Sequence, residues 1–292
     1  MSDDFQIRFQ ALDRLYGAAS LERLRSAHVA VIGLGGVGSW VVEALARSGV
    51  GQLTLVDLDE VCLSNVNRQL PALDGTIGRF KAEVLAERTR AINPSVQVNA
   101  AIEFFTESSS GRLLQIPYDA VVDAIDVISN KCRLIADCRD RGLPLLVCGG
   151  AGGRRDPTRI RQVDLAEASH DRLLGEIRRR LRRDYGFPPA GQRMEVPCVV
   201  STEPIVRPWE SEACRTAQSE VDARETASEK VLQPGRRLNC EGGLGSAAFV
   251  TGAFGFAAAA WAVETILSRN PNLSSSTGPL IAGIPPLPIS RG

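Results

Sequence analysis

Residues 29–59 read VAVIGLGGVGSWVVEALARSGVGQLTLVDLD, and their order of apolar runs and glycines sets the architecture. Residues 29–32 are apolar and rich in β-branched side chains, the composition of a buried strand. A glycine-rich turn comes next, then a helical stretch with small residues at Ala44 and Ala46, a break at Gly49-Val50-Gly51, and a second apolar strand over 53–56. Strand, helix and strand at this spacing make a βαβ unit, which requires parallel strands joined by a right-handed crossover.

The alternation continues outward from this unit. Residues 78–94 read as a helix stopped by Asn93-Pro94, 96–100 as a strand, and 118–126 as a strand ending on Asp126. Residues 132–150 read as a helix and one more strand. The expected fold is α/β: a doubly wound, Rossmann-like, mainly parallel sheet with helices on both faces, plus a smaller C-terminal α+β extension. The chain divides into a helical lead-in (1–28), the nucleotide-binding core (29–150), a substrate-facing extension (151–272) with a mobile loop at 207–240, and a disordered tail (273–292).

Composition bounds the function. The 292 residues are 44% hydrophobic and 23% charged with zero formal net charge, so a nucleic-acid surface must be a local patch. Seven cysteines are scattered without a CxxC pair, which argues against a disulfide framework and a tetrathiolate zinc site, and for a reducing cytoplasm. Residues 242–263 carry no charge over 22 positions, long enough to span a bilayer. They are mostly Gly and Ala, which suits a closely packed buried helix better than lipid; peripheral membrane association is the other reading.

Gly33, Gly35, Gly36 and Gly38 form a GxGxxG turn between a predicted strand and a predicted helix, where backbone N–H groups can meet phosphate oxygens. Asp57 ends the second strand nineteen residues past Gly38, where an acid can hold a ribose. NAD and ATP both fit these features. The residues beyond Asp57 favour ATP: Asp59, Asn65 and Arg68 lie in the next loop, Lys81 opens the next helix, and Asp126 ends a later strand of the sheet. A triphosphate needs cations and a metal, and a carboxylate can hold Mg²⁺.

At these residues the chain resembles the ubiquitin-activating-enzyme-like (ThiF-type) adenylating enzymes. GLGGVGS, LTLVDLDEV, SNVNRQ, GRFKAE, INP and DAID occur in that order, and the resemblance spans residues 14–150. The resemblance implies that Asp57 holds the ribose, Asn65 and Arg68 the phosphates, Lys81 the α-phosphate and Asp126 the Mg²⁺. It also implies a homodimer in which an arginine, Arg14 in RLYG or its rival Arg8, is lent to the neighbouring subunit's triphosphate. RLYG, VCGGAGGRRDPT, VPCVVSTE and LNCEGGLGS resemble more narrowly the tRNA threonylcarbamoyladenosine dehydratase branch, as far as about residue 265. That branch implies ATP-dependent cyclisation of the threonylcarbamoyl group beside the anticodon through an acyl-adenylate, and a link to a cysteine desulfurase sulfur-acceptor system. The alternative is activation of a small sulfur-carrier protein, although such members usually carry two CxxC pairs and this chain has none.

Adenylation with intramolecular attack needs no side-chain nucleophile. The two histidines, His28 and His170, lie outside the phosphate motifs and read as structural. Cys198 and Cys240 read either as reactive thiols or as small apolar residues. Residues 154–183 hold ten arginines against five acids; Arg178, Arg179, Arg180, Arg182 and Arg183 are the candidate tRNA surface, or else one solvated helix face.

Overall fold

The computed structural model describes residues 3–206 and 244–269. The lead-in is three short helices, α1 (Asp3–Phe9), α2 (Ala11–Tyr16) and α3 (Ser20–Ser26). After them come β1 (His28–Ile32), α4 (Gly38–Arg47), β2 (Gln52–Val56), α5 (Lys81–Ile92), β3 (Gln97–Ala101) and α6 (Glu107–Leu113). The chain continues with β4 (Ala120–Asp123), α7 (Ile128–Arg141), β5 (Leu145–Cys148), β6 (Ile160–Asp164), α8 (Arg172–Asp184) and β7 (Pro197–Ser201). The last described element is α9 (Ala248–Ser268).

The strands form one sheet in the order β3-β2-β1-β4-β5-β7-β6, parallel throughout except for β6 against β7. Alternate residues of β1 face opposite layers. Val29 and Val31 pack with α4, α5 and α9, whereas Ala30 and Ile32 pack with α7 and α8. A central strand buried on both faces has no polar side, which is why residues 29–32 read as an unbroken apolar run. The chain leaves β1 toward β2 and β3, then returns to build β4 on β1's other flank. That reversal opens a crevice at the carboxyl ends of β1 and β4.

The uncharged stretch forms α9, and its composition has a steric cause. A Cβ on Gly255 would come 2.6 Å from Trp40 Cβ and 2.8 Å from Val37 O. Gly255 therefore lets α9 lie directly on the start of α4. Val250, Phe254, Ala258, Ala262 and Ile266 are buried on that side, whereas Phe249 (61% exposed) and Phe256 (50%) face outward. The helix is long and apolar enough to cross a membrane, yet its inner stripe belongs to the core.

Two boundaries differ from the sequence reading. Strand β4 ends at Asp123, so Asp126 sits in the loop beyond it. The C-terminal extension supplies β6 and β7 to the main sheet, so the sheet runs across residue 150. The segments expected to be mobile (207–240) and disordered (273–292), and with them Cys240, lie outside the described residues.

Candidate active site

The four motif glycines divide into two pairs. Gly33 has φ +90°, and a Cβ there would come 2.7 Å from Ala124 O; a Cβ on Gly38 would lie 1.8 Å from Gly33 O. The chain's own packing forbids any side chain at either position. Gly35 and Gly36 meet no backbone this way: their nearest neighbours are Gln69 Nε2 at 3.9 Å and Thr251 Cγ2 at 3.2 Å. Their bare Cα atoms leave room for a phosphate to approach main-chain N–H groups.

Asp57 locks the turn to β2. Its Oδ2 accepts a hydrogen bond from Leu34 N at 2.7 Å and its Oδ1 one from Asp59 N at 2.8 Å. The carboxyl is 8% exposed, and burial pushes its pKa upward against the opposing pull of Lys81. Lys81, also buried, opens α5 and places Nζ 3.1 Å from Asp59 Oδ2. Its backbone N–H donates to Asp59 O at 3.0 Å, so the 57–59 segment and α5 are tied twice.

The 60–69 loop aims the remaining groups. Asn65 accepts a bond from Cys62 N at 3.0 Å through Oδ1, which leaves the amide nitrogen as its remaining side-chain donor. Arg68 Nη1 donates to Ser64 O at 2.7 Å and Asn67 Oδ1 at 3.0 Å. Arg68 O in turn accepts from Trp40 Nε1 and Thr251 Oγ1, both at 3.2 Å, so α4 and α9 jointly hold this arginine's backbone. Asp126, one loop away, is exposed and has no hydrogen bond or ion pair among the described residues.

The two candidate lent arginines differ in the same respect. Arg8 Nη1 donates to Ile92 O at 3.3 Å, whereas Arg14 is exposed and unengaged among the described residues.

Three residues had no assigned role in the sequence. Gln69 is 9% exposed beside Gly35, and its Oε1 has no partner among the described residues. Asp123 and Lys131 form a fully buried ion pair, Nζ to Oδ1 at 3.0 Å, beneath the crevice. Gln69's signal was its place directly after Arg68; nothing in the sequence marks Lys131 as buried.

Other candidates leave the site. His28 lies at the amino end of β1, with Nε2 2.9 Å from Thr54 Oγ1 and its ring edge-on to Tyr118. Cys198 is fully buried in β7, and burial holds its thiol far above the usual range, so it is a core residue and not a thiolate. The arginine cluster also shrinks. Arg178 donates to Leu165 O and Ala168 O, at 3.0 and 2.7 Å, and Arg182 to Pro188 O at 3.0 Å, so both staple neighbouring loops. Arg179 and Arg180 pair with Glu176, and Arg183 with Asp184, on the outer side of α8.

A glycine turn at a sheet switch point beside a buried acid and two cations fits the class of nucleotide-binding α/β proteins. The ThiF family model matches residues 8–280, and the chain belongs to the ThiF family. Within that family it is 42% identical over 268 residues to the tRNA threonylcarbamoyladenosine dehydratase of Haemophilus influenzae, covering 91% of this chain and 96% of the relative. It is 40% identical over 270 residues to the Escherichia coli protein of the same name, covering 92% and 97%. The structure of E. coli tRNA N6-threonylcarbamoyladenosine dehydratase in complex with ATP superimposes with a TM-score of 0.77 at 38% identity, covering 91% of this chain and 96% of that one. The complex with AMP gives the same TM-score and coverage at 39% identity.

Asp57→Asn should turn an amide N–H toward a backbone donor, costing about 1–3 kcal/mol of stability and weakening ATP binding. Because burial raises the Asp57 pKa, its stabilising contribution is full below the ordinary value of 3.8 and is lost as pH rises through the folded value. The wild-type advantage in unfolding free energy, measured by denaturant titration, should therefore shrink as pH rises above 3.8. An advantage that grows would mean that the two N–H bonds outweigh burial.

Proposed function

We propose that this protein is an ATP-dependent dehydratase that cyclises N6-threonylcarbamoyladenosine in tRNA through an acyl-adenylate. The observation that carries this reading is the glycine turn held to Asp57 through Leu34 N, with Arg68 beside Gly36, Lys81 paired to Asp59 and Asp126 in the loop beyond β4. Near-full-length similarity to enzymes named for that reaction supports the choice of substrate.

The chemistry answers what a carboxylate lacks. Its charge repels nucleophiles and oxide cannot leave. A substrate carboxylate oxygen attacks the α-phosphorus of ATP, and the bond to the pyrophosphate bridging oxygen breaks. The ureido group then attacks the activated acyl carbon, closing the ring and expelling AMP with the former carboxylate oxygen. The attacking atom belongs to the same molecule, so effective molarity can reach about 10⁵ M or more and no enzyme nucleophile is needed.

Each residue has a part in this reaction. Asp57 keeps lone pairs for the ribose hydroxyls while its two N–H partners hold it still. The Asn65 amide nitrogen and the Arg68 guanidinium face the phosphates, and Lys81 offsets charge at the α-phosphate. Asp126 suits Mg²⁺, which takes one or two carboxylates plus phosphate oxygens and water. Its exposed and uncommitted carboxylate at the crevice fits that role. When bound, the metal would neutralise the developing pyrophosphate charge.

Arg14 is the arginine lent across a homodimer, because Arg8 is already bonded to its own subunit. The outward face with Phe249, Phe256 and Val66, joined where Asn67 Nδ2 bonds Ser246 O, is apolar enough to be covered by that dimer. Arg179, Arg180 and Arg183 form the tRNA surface on α8. The working compartment is the cytoplasm, where tRNA is modified. A sulfur-acceptor role would have to use Cys62, the exposed cysteine among the described residues, or a cysteine outside them.

Pyrophosphate release should require tRNA carrying threonylcarbamoyladenosine, and Lys81→Ala should slow it by about 100-fold or more. Release driven by a small carrier protein instead of tRNA would overturn the substrate assignment. The triple variant Arg179→Glu, Arg180→Glu, Arg183→Glu should weaken tRNA binding and reduce the slope of log affinity against log salt by about 2–3. Unchanged affinity and slope in a filter-binding titration would remove this patch from the interface.

A further inference from the structure

Beneath the crevice lies a cation for which the adenylation chemistry has no evident use. Lys131, in the early turns of α7, is 0% exposed, as is Asp123 at the end of β4. Its Nζ lies 3.0 Å from Asp123 Oδ1, 3.2 Å from Asp123 O and 3.1 Å from Ile125 O. All three ammonium protons therefore go to the short segment that links the sheet to Asp126.

This placement is disfavoured twice. Burial strips the ammonium of its water, and the early turns of a helix present positive dipole to a cation. Among the residues of the first turn of α7 there is no acid to offset that dipole. A plain buried ion pair would need one bond to the carboxylate, yet two of the three contacts are to main-chain carbonyls. β4 pairs with β5 only as far as Asp123 opposite Val147, and beyond it the chain turns out of the sheet. Asp123 Oδ1 also accepts from Ile125 N at 3.0 Å, so the turn is held by side chain and main chain together. Its middle residue supplies Ala124 O, the atom that approaches Gly33.

We propose that Lys131 is a positioning residue for metal–nucleotide binding. By tying down the carbonyls of Asp123 and Ile125, it fixes the direction in which the chain carries Asp126 out of the sheet, and so presets that carboxylate for Mg²⁺–ATP. The proposal rests on the reading of Asp126 as the metal ligand.

The test is ATP affinity by calorimetry on the full chain, with and without Mg²⁺. The key variant is Lys131→Met with Asp123→Asn, which removes both charges together and leaves no buried ion unpaired. Mg²⁺ should tighten ATP binding to the wild type, and Asp126→Asn should lose that gain. The double variant should lose about tenfold of it while its metal-free ATP affinity stays within about twofold, as expected when an outer contact that orients a ligand is removed. Lys131→Gln, whose amide can keep one carbonyl bond, is the second variant and should retain part of the gain. If Asp126→Asn keeps the gain, the metal reading fails and the proposal falls with it. If Asp126→Asn loses the gain and both Lys131 variants keep it, only the Lys131 proposal fails. An equal loss with and without Mg²⁺ would make Lys131 a general structural residue and also overturn it.

Discussion

The approach of Gly33 to Ala124 O governs the whole carboxyl edge of the sheet. A side-chain carbon at Gly33 would sit 2.7 Å from that oxygen, so a single methyl there would wedge the glycine turn away from the β4 loop. With the two in contact, Leu34 N reaches Asp57, Asp57 reaches Asp59, and Asp59 reaches Lys81. The crevice is thus a chain of short contacts that starts from one bare Cα. The same β4 loop carries Asp126 on its far side, so the surface suited to phosphates and the carboxylate suited to a metal share one support.

The cations at this edge are held in place by protein oxygens. Lys81 rests on Asp59, and Arg68 on Ser64 O and Asn67 Oδ1. These partners set the direction of the two charges. In the proposed reaction an arriving triphosphate would offer stronger acceptors, and the side chains would exchange partners. Pre-set charges of this kind stabilise developing charge without reorganisation during the reaction. Among the described residues the buried cysteines are all core, consistent with chemistry that proceeds by electrostatics and proximity.

Much of this was legible in the sequence, for physical reasons. A strand buried on both faces has no polar side, so residues 29–32 declared themselves, as did 53–56, whose one polar side chain, Thr54, is bonded to His28. A turn that no side chain can enter must be glycine, so Gly33 and Gly38 did too. The Gly and Ala content of α9 pointed correctly to close helix packing, which Gly255 against Trp40 makes concrete. Lys131 was invisible because a lysine near a helix start reads as solvated, and its burial depends on how α7 settles on the sheet. The end of β4 differs for a related reason: Ala124 and Ile125 extend the apolar alternation past Asp123, but Lys131 takes the carbonyls of Asp123 and Ile125 there. Arg178 and Arg182 looked interchangeable with their neighbours until the loops they staple were in place. The nature of the substrate came from resemblance and not from any spacing in the chain.

In the proposed mechanism this crevice joins a substrate carboxylate to the α-phosphorus of ATP, and tracing oxygen tests that bond itself. Threonylcarbamoyladenosine tRNA labelled with ¹⁸O in its carboxylate would be turned over with ATP and the nucleotide product analysed by mass spectrometry. The mechanism requires AMP carrying one labelled oxygen, with unlabelled pyrophosphate. Unlabelled AMP, or ADP with labelled phosphate, would rule it out.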